Sequence, residues 1–435
     1  MLPLGTFKTG VFALTDATLT LNVSNVTRLP ELAFITTFAA GPPSISETLN
    51  DKGLASGAVD ISALIEDERT IAFSITCATT GPTSPILSGA FRVKVPKEII
   101  SKSEKTTFQK FLSEQAFWVT VALFGICFVM YFVEDAFSSK DNIFNITRNF
   151  SFIGIMAIGM TFVIITAGID LSVGSIMGVT GVICGLFLDA QYLPEWYAKS
   201  IFFESAYVWV AILLALIAGV LVGAINGYLI AYLNLSPFVV TLGMMAIARS
   251  LALIISNNKM FYEFGPKEEI FFELGGGSIY GVANATWLLI ILTIIMGLVL
   301  KYTAYGKHVY AVGSNKKAAE LSGINTRWIE MSVYMISGFF AALSAVMIVG
   351  WMGSVTNALG YTYELRVIAA TVIGGANLMG GVGGTYGAFI GAALMETIRN
   401  SLLMAGIDPY WQGTFLGAFI VGAVWLEKVK NKKDN

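Results

Sequence analysis

The sequence predicts an all-α integral membrane protein with about ten transmembrane helices, and three observations carry that expectation. Hydrophobic residues make up 55% of the chain and charged residues 13%, with mean hydropathy +0.71; an average soluble domain is roughly 25% charged. The apolar runs are long, near the ~20 residues a bilayer core demands. Backbone groups in lipid must be satisfied internally, so only helices or a closed barrel can span, and runs of this length exclude a barrel. With a net charge of −2 and no long basic tract, nucleic acid is a poor partner for this chain.

The first segment, residues 1–105, stands outside the membrane pattern. It is rich in Ser, Thr and Ala, holds no run long enough to span, and includes β-like pieces such as TIAFSITCAT and GAFRVKV. It lacks the charged start and uninterrupted apolar stretch of a signal peptide. Three readings stay open for this extension of unknown role: a small β-rich cytoplasmic domain, a disordered extension, or sequence upstream of a mis-assigned start, the last being favoured. The membrane domain is expected over residues 106–435. Its spans begin near Phe117, Phe150, Val173, Tyr207, Pro237, Ala285, Ile329, Glu364, Tyr386 and Tyr410. Gly-rich sequence blurs the ends of the third, eighth and ninth.

Orientation follows from the Lys and Arg content of short loops. The stretch from Lys301 to Trp328 carries Lys301, Lys307, Lys316, Lys317 and Arg327 against Glu320, and the tail EKVKNKKDN is also basic. Both are expected on the cytoplasmic side. The loop KMFYEFGPKEEIFFELGGGS, with Glu263, Glu268, Glu269 and Glu273, falls on the other side. An even number of spans places both termini in the cytoplasm.

The polar stretch from Tyr305 to Trp328, held between WLLIILTIIMGLVL and YMISGFFAALSAVMIVG, reads as a handle by which something outside the membrane moves something inside it. Ala318, Ala319, Glu320 and Leu321 favour helix and Gly323 stops it. A short surface helix results, with Lys316 and Lys317 at its start.

Glycine recurs every four residues at Gly219, Gly223 and Gly227 and again at Gly383, Gly387 and Gly391, while Gly413 pairs with Gly417. Such stripes let helix backbones approach closely in lipid. Two segments cannot be comfortable uninterrupted helices: GIDLSVGSIMGVTG, with Asp170 and Ser172 directly after an apolar run, and GGANLMGGVGGTYG, with seven glycines in fourteen residues. Irregular backbone at membrane depth is tolerated where it is buried in protein or lines a cavity.

Asp170, Arg249, Glu364, Arg366, Glu396 and Arg399 lie in or beside predicted spans, where an unpaired charge costs several kcal/mol. Glu396 and Arg399, three apart, can pair on one helix face. Asp170 can cap the following helix through the N–H groups of Ser172 and Val173. Glu364 and Arg366 near a span's outer end can snorkel to the interface.

Enzyme chemistry finds little to build on. His308 is the only histidine, and Cys77, Cys127 and Cys184 are too scattered for a disulfide framework or a metal cluster. There is no phosphate-cradling G-x-x-x-x-G-K-[ST] loop and no H-E-x-x-H. No catalytic residue, metal site or bound cofactor is expected on this chain.

GIDLSVGS, INGYLIAYLNLSPFVVTLGMM, GSNKKAAELSGIN, YELRVIAATVIGGANLMGGVGG and GIDPYWQ, in that order, resemble the permease subunits of bacterial ABC importers for monosaccharides of the ribose, xylose and galactose type. The similarity covers about Phe108 to Lys433. It implies a fold like that of the vitamin B12 importer permease, with Gly-rich broken helices, in a bacterial inner membrane. It also implies partners: a second permease subunit, identical or paralogous, a cytoplasmic ATPase with two nucleotide-binding domains that carries ATP and Mg, and an extracytoplasmic sugar-binding protein.

By the same resemblance, GSNKKAAELSGIN corresponds to the ATPase-coupling helix, with Gly313, Asn315, Ala318, Ala319, Glu320, Ser322, Gly323 and Ile324. Ala318, Ala319, Glu320 and Gly323 would sit in a groove of the ATPase. Asp170, Ser172, Asn226, Glu364 and Asn377 are the candidate pathway or core polar residues, with Asn226 and Asn377 placed in inner helices. The resemblance leaves another small polar cargo open, such as a polyol, an inositol or an autoinducer. From a different class, a stand-alone ion-coupled carrier would use Asp170 and Glu364 for proton or sodium coupling.

Overall fold

The computed structural model describes the strands between residues 12 and 93, then residues 115–189, 201–265 and 268–408, with isolated positions from 411 to 418. The chain divides into two compact units, Met1–Lys110 and Phe111–Asn435.

In the first unit, β1 (Phe12–Thr15), β2 (Thr18–Val23) and β5 (Ala55–Asp60) form one antiparallel sheet in the order β1-β2-β5. A second antiparallel sheet takes the order β4-β3-β6-β7, from β3 (Ala33–Phe38), β4 (Ile45–Thr48), β6 (Arg69–Ala78) and β7 (Ile86–Val93). Its register sets Thr36 opposite Ile75 and Ile71 opposite Phe91.

Among its described residues the second unit is helical apart from one small hairpin and an isolated bridge between Phe261 and Val355. α1 (Gln115–Val133) is strongly apolar and exposes Trp118, Phe124, Phe128 and Phe132 on the surface of the unit. After a 3-10 turn at Asp135–Ser138, Ser139 caps α2 (Lys140–Ile165) by accepting from Asn142 N at 3.3 Å. α2 is buried continuously from Phe150 to Ile165, so its apolar character on every side marks a central helix and not a lipid-facing one. α3 (Val173–Leu188) is likewise enclosed. α4 (Ile201–Ala231) and α5 (Pro237–Ile255) follow, the latter with proline in its first turn, where the missing N–H costs nothing.

α6 (Glu268–Gly276) leads into the hairpin of β8 (Ser278–Ile279) and β9 (Val282–Ala283), which turns at Tyr280 and Gly281 with φ of 54° and 75°. Two successive positive φ values match the twist of a two-residue hairpin loop. Beyond it run α7 (Asn284–Tyr302), α8 (Ala304–Ser314), α9 (Lys316–Leu321) and α10 (Thr326–Met352). α11 (Tyr363–Ile373) and α12 (Thr385–Met404) complete the described helices.

α10 packs chiefly on α4 and α2, and the glycine stripe of α4 makes that contact. A methyl group added at Gly219 would strike Gly338 O, one at Gly223 would strike Tyr334 O, and one at Gly227 would come within 2.6 Å of Met331 O. The two backbones therefore touch, and dispersion between them replaces the hydrophobic drive that lipid does not supply. Gly387 and Gly391 of α12 do the same against Gly374 and Ala370 at α11. Gly383 departs from the expected stripe, because it precedes the helix and lies in a turn. A methyl group added at Gly413 or Gly417 would meet nothing within 4 Å among the described residues.

Six described helices are long and apolar enough to cross a membrane: α1, α2, α4 over Tyr207–Ala231, α5, α7 and α10. α3 at 16 residues and α11 at 11 are shorter than the sequence predicts, because Gly-rich turns take residues from their ends. α12 has 20 residues but carries Glu396 and Arg399. The expected span near Tyr410 and the basic tail lie outside the described residues, apart from the isolated positions named above.

Candidate functional site

The break between α2 and α3 builds a polar node inside the bundle. The chain leaves α2 at Thr166, turns through Ala167 at φ 60°, and re-enters helix at Val173. Asp170 is fully buried in that turn. Its Oδ1 accepts from Ser172 N at 3.0 Å and Ser172 Oγ at 2.6 Å, and its Oδ2 accepts from Ser337 Oγ of α10 at 2.8 Å. Asn226 of α4, also fully buried, donates from Nδ2 to Ser172 Oγ at 2.9 Å. Asp170 thus accepts the expected bond from Ser172 N and reaches across to Ser337 of α10 with its second oxygen. Asp170, Ser172 and Asn226 are fully buried in this node and tie α4 and α10 to the turn.

Asn377 is not in a helix. It sits in the turn between α11 and α12, where its Oδ1 accepts from Met379 N at 2.7 Å and its backbone N–H donates to Val382 O. The run of glycines explains the correction: Gly375, Gly380 and Gly381 take φ of 103°, 88° and 76°, which a helix cannot accommodate. Glu364 lies in the first turn of α11, half-buried, close enough to Gly174 of α3 that a methyl there would strike its carboxylate. Arg249 of α5 donates to Leu359 O at 2.8 Å and Asn357 O at 3.2 Å, holding the loop before α11. Glu396 and Arg399 form the expected pair, with Arg399 Nε donating to Glu396 Oε2 at 2.8 Å.

The segment from Tyr305 to Trp328 folds as two helices. Asn315 caps α9, accepting from Ala318 N at 3.0 Å. At its other end Gly323 N donates to Glu320 O and Ile324 N to Ala319 O, the crossed pattern of a Schellman stop, with Gly323 at φ 83°. Ser322 Oγ donates to Ala318 O at 2.9 Å. Ala319 is buried against the chain's own core, so it does not face outward as the resemblance implies. Ala318 and Glu320 are exposed, and beside them Leu321 is 83% exposed. Sequence reading passed over Leu321 as a helix former; a large apolar residue in a polar loop was the available signal. Lys316 Nζ pairs with Glu330 of α10 at 2.7 Å, fixing α9 to the helix that follows.

Gly313, at the end of α8, joins this segment to the core. A methyl at Gly313 would collide with Ile165 O, the carbonyl that also accepts from Gly381 N at 2.8 Å. Tyr310 donates to Gly383 O at 2.6 Å, and Tyr305 shares a 2.7 Å hydrogen bond with Ser332 of α10. Burial pushes both phenols above their ordinary pKa, so both keep the proton these bonds use. The end of α8, the Gly-rich turn and the end of α2 are therefore one contact, five residues from Asp170 along the chain. Gly313→Ala is expected to lower stability by about 1–3 kcal/mol through overpacking. The unfolding midpoint of the purified variant checks this, and an unchanged midpoint would contradict the contact.

The profile of the family described as branched-chain amino acid transport system / permease component matches residues 142–424. The ribose import permease protein RbsC of Haemophilus influenzae is 34% identical over 335 residues, covering 76% of this chain and 99% of the relative. The galactose/methyl galactoside import permease protein MglC of Escherichia coli K12 is 32% identical over 343 residues, with 76% and 98% covered. The ribose import permease of E. coli K12 is 33% identical over 311 residues, with 71% and 92% covered. No solved structure matches the chain. The chain belongs to this permease family. It is a multi-pass membrane protein and a transport subunit, not an enzyme.

Proposed function

We propose that this chain is one pore half of an ATP-driven importer for a monosaccharide. The observation that carries the mechanism is the exposed, doubly capped α9 tied through Gly313 to Ile165 and the Gly-rich turn. A push on α9 reaches the turn that holds Asp170 through backbone contacts, with little slack to absorb it. The names of the relatives, ribose and galactose permeases, support a simple sugar as cargo.

On this reading α9 is the coupling helix of a cytoplasmic ATPase with two nucleotide-binding domains, which carries ATP and Mg. A second permease subunit completes the pore and an extracytoplasmic binding protein delivers the sugar. The basic residues of the coupling segment support a cytoplasmic location for it and for both termini. Ten spans in the manner of the vitamin B12 importer permease follow if α3, α11, α12 and the segment near Tyr410 join the six long helices. Residues 1–105 are then an N-terminal extension of unknown role, and 106–435 the permease domain. Among the candidate polar residues, half-buried Glu364 and Asn377 remain to contact solute, while Asp170, Ser172 and Asn226 hold the helices.

Co-purification from the native membrane tests the proposal. Recovery of a double nucleotide-binding subunit, with hydrolysis stimulated by a sugar-loaded binding protein, is the expected result. A chain that purifies alone and binds solute only under a proton or sodium gradient would overturn it.

A further inference from the structure

A cleft of about 610 Å³ opens at the end of the bundle opposite α9, lined by Arg148, Glu269, Phe272, Glu273, Trp351 and Met352. That volume falls in the range of small-molecule sites. Arg148 of α2 lays its guanidinium over the indole of Trp351, 4.2 Å from the ring centre, and its Nη2 donates to Asn145 Oδ1 at 2.8 Å. Its Nε is buried without a partner among the described residues. Glu269 and Glu273, one turn apart on α6, are exposed on the facing wall. A lone anion here would meet two carboxylates, and a lone cation would meet the guanidinium. A zwitterion satisfies both.

The depth of the cleft says where such a zwitterion would come from. α10 has 27 residues, so at 1.5 Å per residue it is about 40 Å long, beyond the ~30 Å hydrocarbon core. Trp351, in its last turn, therefore reaches the headgroup zone. Exposed Tyr280 and part-exposed Trp287 lie at the same end, as interfacial aromatic residues do. Exposed Met352 lines the cleft and exposed Ile270 follows Glu269 in α6, apolar surface that acyl chains can cover.

We propose that this cleft binds the phosphoethanolamine headgroup of a membrane phospholipid. The phosphate accepts from the guanidinium of Arg148 that lines the cleft, a charge-assisted bond, and the primary ammonium donates to Glu269 or Glu273. A choline headgroup has no N–H to donate. Its usual alternative, an aromatic face, is taken, since Arg148 covers Trp351 and Phe152 flanks it at 5.8 Å. A glycerol headgroup brings the anion without the ammonium. The assignment stands apart from the cargo and from the ATPase.

Native mass spectrometry of the full-length chain, with phosphatidylethanolamine, phosphatidylcholine and phosphatidylglycerol of identical acyl chains, tests it. The ethanolamine lipid should be retained about tenfold better than either competitor, a difference of about 1.4 kcal/mol. The double variant Glu269→Gln, Glu273→Gln should erase that preference, and because both residues are exposed the fold survives the change. Equal retention of the three lipids, or a preference that the double variant keeps, overturns the proposal. Displacement of the lipid by soluble phosphoethanolamine at equal concentration would assign the cleft to a soluble zwitterion instead. Loss of an extracytoplasmic protein's binding in the double variant, with lipid retention unchanged, would make it a docking surface and also overturn the proposal.

Discussion

Asp170→Leu should fail to yield a stably folded protein. The substitution removes the acceptor for Ser172 N, Ser172 Oγ and Ser337 Oγ, all inside the bundle. Each buried donor left without a partner costs about 1–3 kcal/mol, and the sum is comparable with the ~5–15 kcal/mol that holds a typical domain together. Asp170→Asn should be far milder: it keeps one carbonyl oxygen for Ser172, and its amide can donate to Ser337 Oγ in reversed polarity. Thermal unfolding of the two variants in detergent separates them. A leucine variant with the wild-type midpoint would show that the node does not hold α4 and α10 to the turn.

Leu321→Glu should reduce uptake by about tenfold or more while leaving the membrane fold unchanged. Leu321 is 83% exposed on a helix fixed by the Asn315 cap, the Schellman stop and the Lys316–Glu330 pair. A large apolar side chain held rigidly in water is what an anchor residue at an interface requires. Burying a carboxylate in its place costs several kcal/mol unless a partner cation meets it, and tenfold needs only about 1.4 kcal/mol. Reconstituted uptake, beside the unfolding midpoint of the variant alone, is the measurement. Wild-type uptake would remove Leu321 from the docking surface. The contrasting variant is Ala319→Trp, which should damage the fold itself, because Ala319 is buried in its own chain.

The coarse layout was legible because lipid imposes strong rules on sequence. Apolar length and glycine spacing each reflect a single constraint acting on a local stretch, and both appear in the structure, as long apolar helices and as the close backbone contacts of α4 with α10. The pair Glu396–Arg399 was readable for the same reason, since three residues on a helix bring side chains together. Asn377 was misplaced in a helix because the resemblance put it there, whereas the positive φ angles at Gly375, Gly380 and Gly381 decide the local backbone. Ala319 was misdirected because short helices of mixed composition do not announce which face is inward. Ser337 was overlooked as a partner of Asp170, although a serine inside YMISGFFAALSA is itself a visible anomaly.

Arg148 shows the same division at the other end of the bundle. Sequence reading gave it no role, since it stands eight residues into a helix with no carboxylate at helical spacing. Its orphan Nε and its stacking on Trp351 exist only because α2 and α10 pack side by side.

The sequence by itself determined that this chain lives in a membrane, that it crosses as helices, that the segment from Tyr305 to Trp328 stands out as a handle, and that Asp170 is a costly residue with a purpose. Each of those follows from local composition set against the bilayer as solvent. Only the tertiary structure decided that Gly313 touches Ile165, that Asp170 reaches Ser337 across 167 positions, and that Leu321 and not Ala319 faces outward. Those outcomes depend on which helices become neighbours, a choice made by the fit of whole backbone surfaces along glycine stripes, and no short stretch of sequence carries that information.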